Sequence, residues 1–363
     1  MRVLVVNAGS SSLKLTMLVD GALAGSTTVE RWEGEHHLEA LETFVGDVGQ
    51  VDAVGHRVVH GGPEHTGPAR VDEELLGYLA SIEDLAPLHN PRAVAAMRAV
   101  SRLVDAPAVA CFDTAFHADL PAPARTYALP RRWNERWGLR RYGFHGLSHA
   151  YAARRAAEVV GRRVEELRIV SCHLGAGSSL AAVVGGASVD TTMGFTPLEG
   201  VVMATRSGSV DPGLLLWLLR HTDVTVDELG TVLEQESGLV GLTGSADLRD
   251  VLAARSQGDA DAALAFDVFV HRLRQEVGSM TASALGLDLL VFTGGIGEHS
   301  SLVRARVTDG LAHLGVQIDP RRNDVASGDT DLTAPGATVS TVLVRAGEEQ
   351  EVARQVEEVL RSG

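Results

Sequence analysis

The sequence predicts an α/β protein made of two similar domains. Short β-rich runs alternate with helical stretches, the chain is 363 residues long, and one strand–turn–strand unit occurs twice. At ~150 residues per domain, that length corresponds to roughly two domains.

Apolar, β-branched runs at 2–6, 13–19, 53–59, 108–112, 168–172, 179–184, 289–292 and 339–344 predict strands. Helices are predicted at 90–104, 148–160, 211–220, 260–285 and 348–360. In the fourth, Ala263, Phe266, Val270, Leu273 and Val277 recur at helical spacing and read as a core-facing stripe. The repeated unit reads RVLVVNAGSSSLKLTMLVDG from residue 2 and RIVSCHLGAGSSLAAVVGG from residue 168. Each is a strand, a Gly/Ser turn, a second strand and a hairpin turn, at Asp20-Gly21 or Gly185-Gly186. Two such units predict two domains that each present a hydroxyl-rich loop to a shared cleft. Consecutive backbone N–H groups at such turns form concavities that bind anions.

A formal charge of −15 argues against a nucleic-acid or anionic-membrane partner, since both reward a basic face. It leaves room for a local basic site. No run reaches the ~18 apolar residues of a membrane span. The N-terminal MRVLVVN has too short an apolar run for a signal peptide and reads as a first strand. Cys111 and Cys172 follow apolar runs and suit reduced, buried thiols in a cytoplasmic enzyme, with a disulfide left open. Of 32 cationic residues only Lys14 is a lysine: either a compact point charge for a phosphate or a surface side chain.

The loop NAGSSSLK sets Asn7, Ser10, Ser12 and Lys14 between two strands, and alternation aims Ser10, Ser12 and Lys14 to one face. The loop HLGAGSS repeats this with Gly175, Gly177, Ser178 and Ser179. A third Gly-rich turn, VFTGGIGEHS, follows the strand 289–292 and precedes a helix starting near Ser300. Its Gly294, Gly295 and Gly297 leave room for a flat base or a ribose. Together the three turns predict a nucleotide. The G-x-x-x-x-G-K-[ST] phosphate loop, the G-x-S-x-G nucleophile elbow, and the H-E-x-x-H and C-x-x-C metal spacings are all absent.

The segments VVNAGSSSLK, GHRVVHGG, DLAPLHNP, FDTAFH, RRYGFHGLSH, HLGAGSS, TTMGFTPLEGVVMATRSG, GLTGSADLRDV and FTGGIGEHS, in that order, resemble the acetate kinase family; GEE at 347–349 resembles its C-terminal signature. The resemblance implies two ribonuclease-H-like (actin-like ATPase) domains with a nucleotide cleft between them. It places residues 1–117 plus a C-terminal helix at 350–363 in the first domain and 118–349 in the nucleotide-binding domain. It implies reversible transfer of the ATP γ-phosphoryl group to acetate, giving acetyl phosphate and ADP, with Mg2+ or Mn2+ in its place. A cytoplasmic homodimer with no nucleic-acid or membrane partner is implied as well.

By the same resemblance, Arg57 binds the substrate carboxylate and Arg206 stabilises the phosphoryl group in flight, with His145 sharing that work. An Arg fork suits a carboxylate because it makes two parallel charge-assisted bonds. The family often describes the residue matching Asp113 as an acid/base. A carboxylate nucleophile with a solution pKa near ~4–5 has no proton to lose at neutral pH, so holding Arg57 or a metal-bound water is the better physical role. Asn7 and Glu348 would reach the magnesium, with Glu349 the rival ligand. The acyl pocket would be Val59, Leu88, Phe144 and Pro197, near His89. The nucleotide would lie against Ser10, Ser12 and Lys14, the run His173, Leu174, Gly175, Ala176 and Gly177, then Asp247, Leu248 and Arg249, and finally Gly294, Gly295, Ile296, Gly297 and Glu298.

The chain departs from the family pattern at Ala176 (usually Asn), Ala204 (Gly), Ser209 (Asp) and Leu147 (Thr). The stretches around 22–50 and after Gly62 are also shortened. Two alternatives stay open: a kinase for propionate or another short-chain acid, and a nucleotide-binding protein that has lost turnover, which Ala176 and Ser209 motivate.

Overall fold

The computed structural model describes residues 1–9, 12–30, 32 and 38–362. The chain forms two compact units. The first comprises Met1–Asp119, Phe144–Tyr151 and Gly347–Gly363; the second comprises Leu120–Gly143 and Ala152–Ala346. The first unit therefore includes the segment that carries His145, and its C-terminal part begins at Gly347.

In the first unit β1 (Arg2–Ala8), β2 (Ser12–Val19), β3 (Ala22–Glu30), β4 (Ala53–Val58), β5 (Ala69–Arg70) and β6 (Ala108–Phe112) form one sheet in the order β3-β2-β1-β4-β6-β5. The second unit contains β7 (Arg168–Leu174), β8 (Ser178–Val184), β9 (Ala187–Thr191), β10 (Leu289–Thr293), β11 (Thr330–Asp331) and β12 (Ser340–Leu343). Read from the hairpin side, its order β9-β8-β7-β10-β12-β11 repeats the first sheet strand for strand. Both sheets have an antiparallel three-stranded meander, two further strands parallel to its first, and a short antiparallel edge. The repeat in the sequence is thus a repeat of topology. Sequence patterning passed over β3 and β9 because ALAGSTTVE and ASVDT contain no apolar run. Another difference is at GGIGEH: three glycines suggest an open turn, but Gly294–His299 is helical.

Alternation along β1 loads both faces of the first sheet. Val3 and Val5 pack with Leu18, Val109, Cys111, Val352 and Val356, while Leu4, Val6 and Ala8 pack with Leu13, Leu15, Met17, Phe44 and Val100. The helix Glu348–Ser362 sits on the first of these faces through Gly55. A Cβ there would lie 2.4 Å from Val352 Cγ1 and 2.9 Å from Val356 Cγ2, so only glycine admits the helix. In the second unit Phe266, Val270, Leu273 and Val277 of the helix Ala260–Ser283 enter the core, with Ala263 half-buried beside them. Cys111 and Cys172 are buried free thiols. Among the described residues no helix is long and apolar enough to cross a membrane.

In the first unit His56, His60 and His117 are buried in neutral form. Burial pulls His56 down to about 3, and pulls His60 and His117 down to about 4. His60 Nδ1 accepts the Gly62 N–H at 2.9 Å, so that nitrogen cannot take a proton without losing its bond. Each folded pKa lies below the unfolded value near ~6.5, so the unfolded chain binds more protons from there down to about 4. Stability is expected to fall as pH drops through that window, by up to about 1.4 kcal/mol per pH unit for each histidine, and to be unaffected by these groups above it. Denaturant midpoints measured from pH 7.5 to 5 test this; a flat profile would contradict it.

Candidate active site

In the first unit the charged residues gather at one end of the parallel strands, where α/β sheets present ligand-binding groups. Asn7 near the end of β1 is in register with Arg57 on β4 and with Lys14 on β2. Asp113 follows β6 directly and donates its N–H to Val58 O at 2.9 Å. Its carboxylate meets Arg57 side-on, Nε to Oδ1 at 3.2 Å and Nη2 to Oδ2 at 2.7 Å. The remaining Nη1 lies 3.4 Å from Asn7 Oδ1 and 3.5 Å from Glu348 Oε2. Glu349 pairs instead with Lys14.

Burial opposes the charge on Arg57, but the Asp113 and Glu348 carboxylates outweigh it and raise its pKa. Burial raises the Asp113 carboxyl, against the pull of Arg57. A guanidinium has a side fork (Nε, Nη2) and an end fork (Nη1, Nη2). Here Asp113 takes the side fork and, among the described residues, two long contacts touch Nη1, so the end fork can receive a second carboxylate.

His145 reaches this end of the sheet through the main chain. Gly146 N–H donates to Asp113 O at 2.9 Å, and a Cβ on Gly146 would be 2.2 Å from that oxygen. His145 itself has φ of 56°, a left-handed conformation that costs a non-glycine residue about 1–3 kcal/mol and persists only where its surroundings enforce it. Phe144 is buried, with its ring edge-on to His60 at 5.5 Å. Val59 lies one residue past β4 and is half-buried; Leu88 is 52 % exposed; His89 occupies the N-cap of the helix Asn90–Ser101. Ser12 opens β2, its carbonyl taking the Gly9 N–H at 2.8 Å. Ser10 lies outside the described residues.

In the second unit four segments far apart in the sequence line one cavity of about 680 Å³, three of them assigned from the sequence. Those three contribute Gly175 and Ala176, then Asp247, Leu248 and Arg249, then Gly295 and Ile296. That volume suits a nucleotide-sized ligand, for which pockets run ≈ 300–1,000 Å³. Asp247 caps the helix Leu248–Ser256, and the Arg249 side chain holds its carboxyl down to about 2. His173 and Leu174 end β7, and Gly177 closes its turn by accepting Gly175 N–H at 3.1 Å. These three residues, with Gly294, Gly297 and Glu298, are outside the lining set. The Glu298 carboxylate takes the Ala346 N–H at 2.9 Å, which makes it an anchor for its turn.

Sequence reasoning did not assign Thr205, Ala246, Leu252, His299 or Ser300, which also line the cavity. Leu252 follows Leu248 by one helical turn, and His299 and Ser300 end the GEHS motif, signals that could have found these three.

Arg206 donates to Pro197 O at 3.2 Å. Burial lowers its pKa, with Glu234 offsetting this in part. Its hydrogen bond goes to a neutral carbonyl, so the positive charge is not spent on a bonded carboxylate. The loop carrying Pro197 is fixed by Arg141, which donates to the carbonyls of Thr191, Thr192 and Met193 and pairs with Glu199 at 2.8 Å. Tyr127 Oη donates to the same Glu199 at 3.0 Å.

The sequence model of the acetokinase family matches residues 34–354. The chain belongs to the acetokinase family. It is 41 % identical to an acetate kinase of Bacillus thuringiensis subsp. konkukian, over 98 % of each chain. Among solved structures it is similar to the acetate kinase of Porphyromonas gingivalis, at 32 % identity over 99 % of each chain with a TM-score of 0.92. It is similar to a propionate kinase of Francisella tularensis too, at 32 % identity over 98 % of this chain and 99 % of that one, with a TM-score of 0.91.

Within an acetokinase scaffold the departures at Ser209 and Leu147 find local explanations, whereas nothing in the structure explains Ala176 or Ala204. Ala176 O accepts Ala204 N–H at 3.1 Å, and both alanines line the cavity. Ser209 Oγ accepts Gly200 N–H at 3.1 Å, keeping an oxygen acceptor on that loop. Leu147 is buried with Val352, Ala353 and Val356, so its apolar side chain anchors the C-terminal helix.

Proposed function

We propose that the protein is an acetate kinase, transferring the γ-phosphoryl group of ATP to a carboxylate oxygen of acetate and releasing acetyl phosphate and ADP. The observation that carries this reading is the convergence of four separate segments on one nucleotide-sized cavity, in a chain matched end to end by acetate kinases. ATP lies in that cavity, its base against Leu248, Leu252 and Ile296.

Acetate docks its carboxylate on the end fork of Arg57, leaving the Asp113 bonds intact. At neutral pH acetate is already ionised, so no base is required, and Asp113 serves to aim Arg57. Arg206 and His145 stabilise the charge that spreads over the equatorial phosphoryl oxygens. Asn7 and Glu348 would supply hard oxygen donors to Mg2+, a cation that takes one or two protein oxygens plus water and phosphate; here both lie near Arg57 Nη1. When bound, that ion supplies neutralisation of the phosphate charge. Glu349, paired with Lys14, is the rival ligand, and Glu348 is itself in contact with Arg57.

Hydroxamate trapping of acyl phosphate with ATP, magnesium and acetate tests the reading, run beside propionate and butyrate. Acetate is expected to be preferred, an added methylene costing about 1–3 kcal/mol in a tight pocket. Absence of product from every short-chain acid would end the proposal.

The protein is further read as a cytoplasmic homodimer. The helix Pro212–His221, PGLLLWLLRH, has no buried residue, and Leu214, Leu216 and Trp217 are 47, 50 and 53 % exposed. Apolar side chains on one such helix are best covered by a second copy of this chain. Light scattering at micromolar concentration should give twice the chain mass, and Leu216→Asp should give the single mass. A monomeric parent protein would rule this out.

A further inference from the structure

The helical turn Gly294–His299 supplies Gly295, Ile296 and His299 to the nucleotide cavity. A helix leaves its last carbonyls without partners inside the helix, so something else must take them. Ser300 N–H takes Ile296 O at 3.0 Å. The next two, Gly297 O and Glu298 O, are both taken by Nη1 of Arg304, at 2.7 and 2.9 Å.

The rest of that guanidinium is held by one residue. Nε donates to Asn323 Oδ1 at 2.7 Å and Nη2 donates to Asn323 O at 2.9 Å. Asn323 Nδ2 donates in turn to Ser301 O at 2.9 Å. Arg304 is 1 % exposed, and all four of its acceptors are neutral. A buried cation without a bonded carboxylate is costly to maintain. What offsets the cost is the negative end of the helical turn, which a positive charge stabilises. Arg304 is not among the cavity-lining residues, so any effect on the ligand passes through the turn.

We propose that Arg304, aimed by Asn323, is a positioning residue for nucleotide binding: it locks the turn Gly294–His299 in the shape that the cavity requires. This rests on the kinase reading above. It assigns the clamp to binding of ATP and gives it no part in the acetate site.

Two variants of near-native size separate the clamp from simple packing. Asn323→Leu removes the Oδ1 acceptor, whereas Asn323→Asp keeps it; both lose the donation to Ser301 O. Asn323→Leu is expected to raise the KM for ATP about tenfold, as losing a hydrogen bond to a charged group does. The KM for acetate and kcat at saturating ATP should stay within about twofold, and Asn323→Asp should restore the ATP KM. The clamp is refuted if both variants raise the ATP KM equally, if the acetate KM rises in step, or if Asn323→Leu changes nothing. Should Asn323→Leu not fold, Arg304→Lys replaces it, since one ammonium cannot serve Gly297, Glu298 and Asn323 together. An unchanged ATP KM there refutes the clamp, and a raised one with acetate KM held supports it. ATP binding by the unaltered protein is measured first: none at all defeats the kinase reading and the clamp together.

Discussion

Replacing Arg206 by alanine is expected to lower kcat by about 10³–10⁵ while leaving the KM for ATP within a few-fold. The magnitude follows from what the side chain holds at rest. Its guanidinium donates to Pro197 O and touches Met203 Sδ, both neutral, in a part-buried setting. Little has to be broken for it to meet a phosphoryl group whose negative charge moves outward in the transition state. Charge stabilisation confined to the transition state appears in kcat and not in substrate affinity. Arg206→Lys should recover only a small part, because one point charge cannot keep the Pro197 carbonyl and reach the phosphoryl oxygens as well. Steady-state kinetics with single-turnover controls decide the matter. A variant with kcat within tenfold of the parent and a large rise in ATP KM would make Arg206 a nucleotide anchor instead.

Local patterns were legible in the sequence and long-range partnerships were not. The Gly/Ser turns after β1 and β7 could be read because a turn between two apolar runs is a property of about ten neighbouring residues. Their equivalence was readable for the same reason, and the two sheets repeat one topology. The pairing of Glu349 with Lys14 could not be read from the sequence, since the two lie 335 positions apart. Glu298 could be placed in the right motif, but its carboxylate faces Ala346, a partner that no spacing announces. The helical state of Gly294–His299 was hidden for a related reason. Three glycines disfavour a helix locally, and the capping that stabilises it comes from Ser300, Arg304 and Asn323 downstream.

Asp113→Asn is expected to reduce kcat/KM for acetate by about 10²–10³, chiefly through KM, and to leave the shape of the pH profile between pH 6 and 8.5 unchanged. Asp113 is 1 % exposed and engages two nitrogens of Arg57 at 3.2 and 2.7 Å. An asparagine keeps one acceptor but turns an NH2 group toward a donor, so the side fork opens and the guanidinium loses its aim. A fork that loses its aim forfeits charge-assisted bonds to acetate worth about 1.5–3 kcal/mol each, enough to account for that loss. Arg57→Ala should be more severe, since on the proposed mechanism it removes the fork that takes acetate and leaves the buried Asp113 carboxyl without its cation. Lysine at position 57 should not rescue it, lacking the two-pronged geometry. The pH profile separates this account from general-base catalysis. If Asp113 took a proton during turnover, the asparagine variant would lose the acidic limb of its rate profile while keeping its acetate KM. That pair of results would make Asp113 a base, whereas a raised acetate KM with the acidic limb intact would make it the residue that aims Arg57.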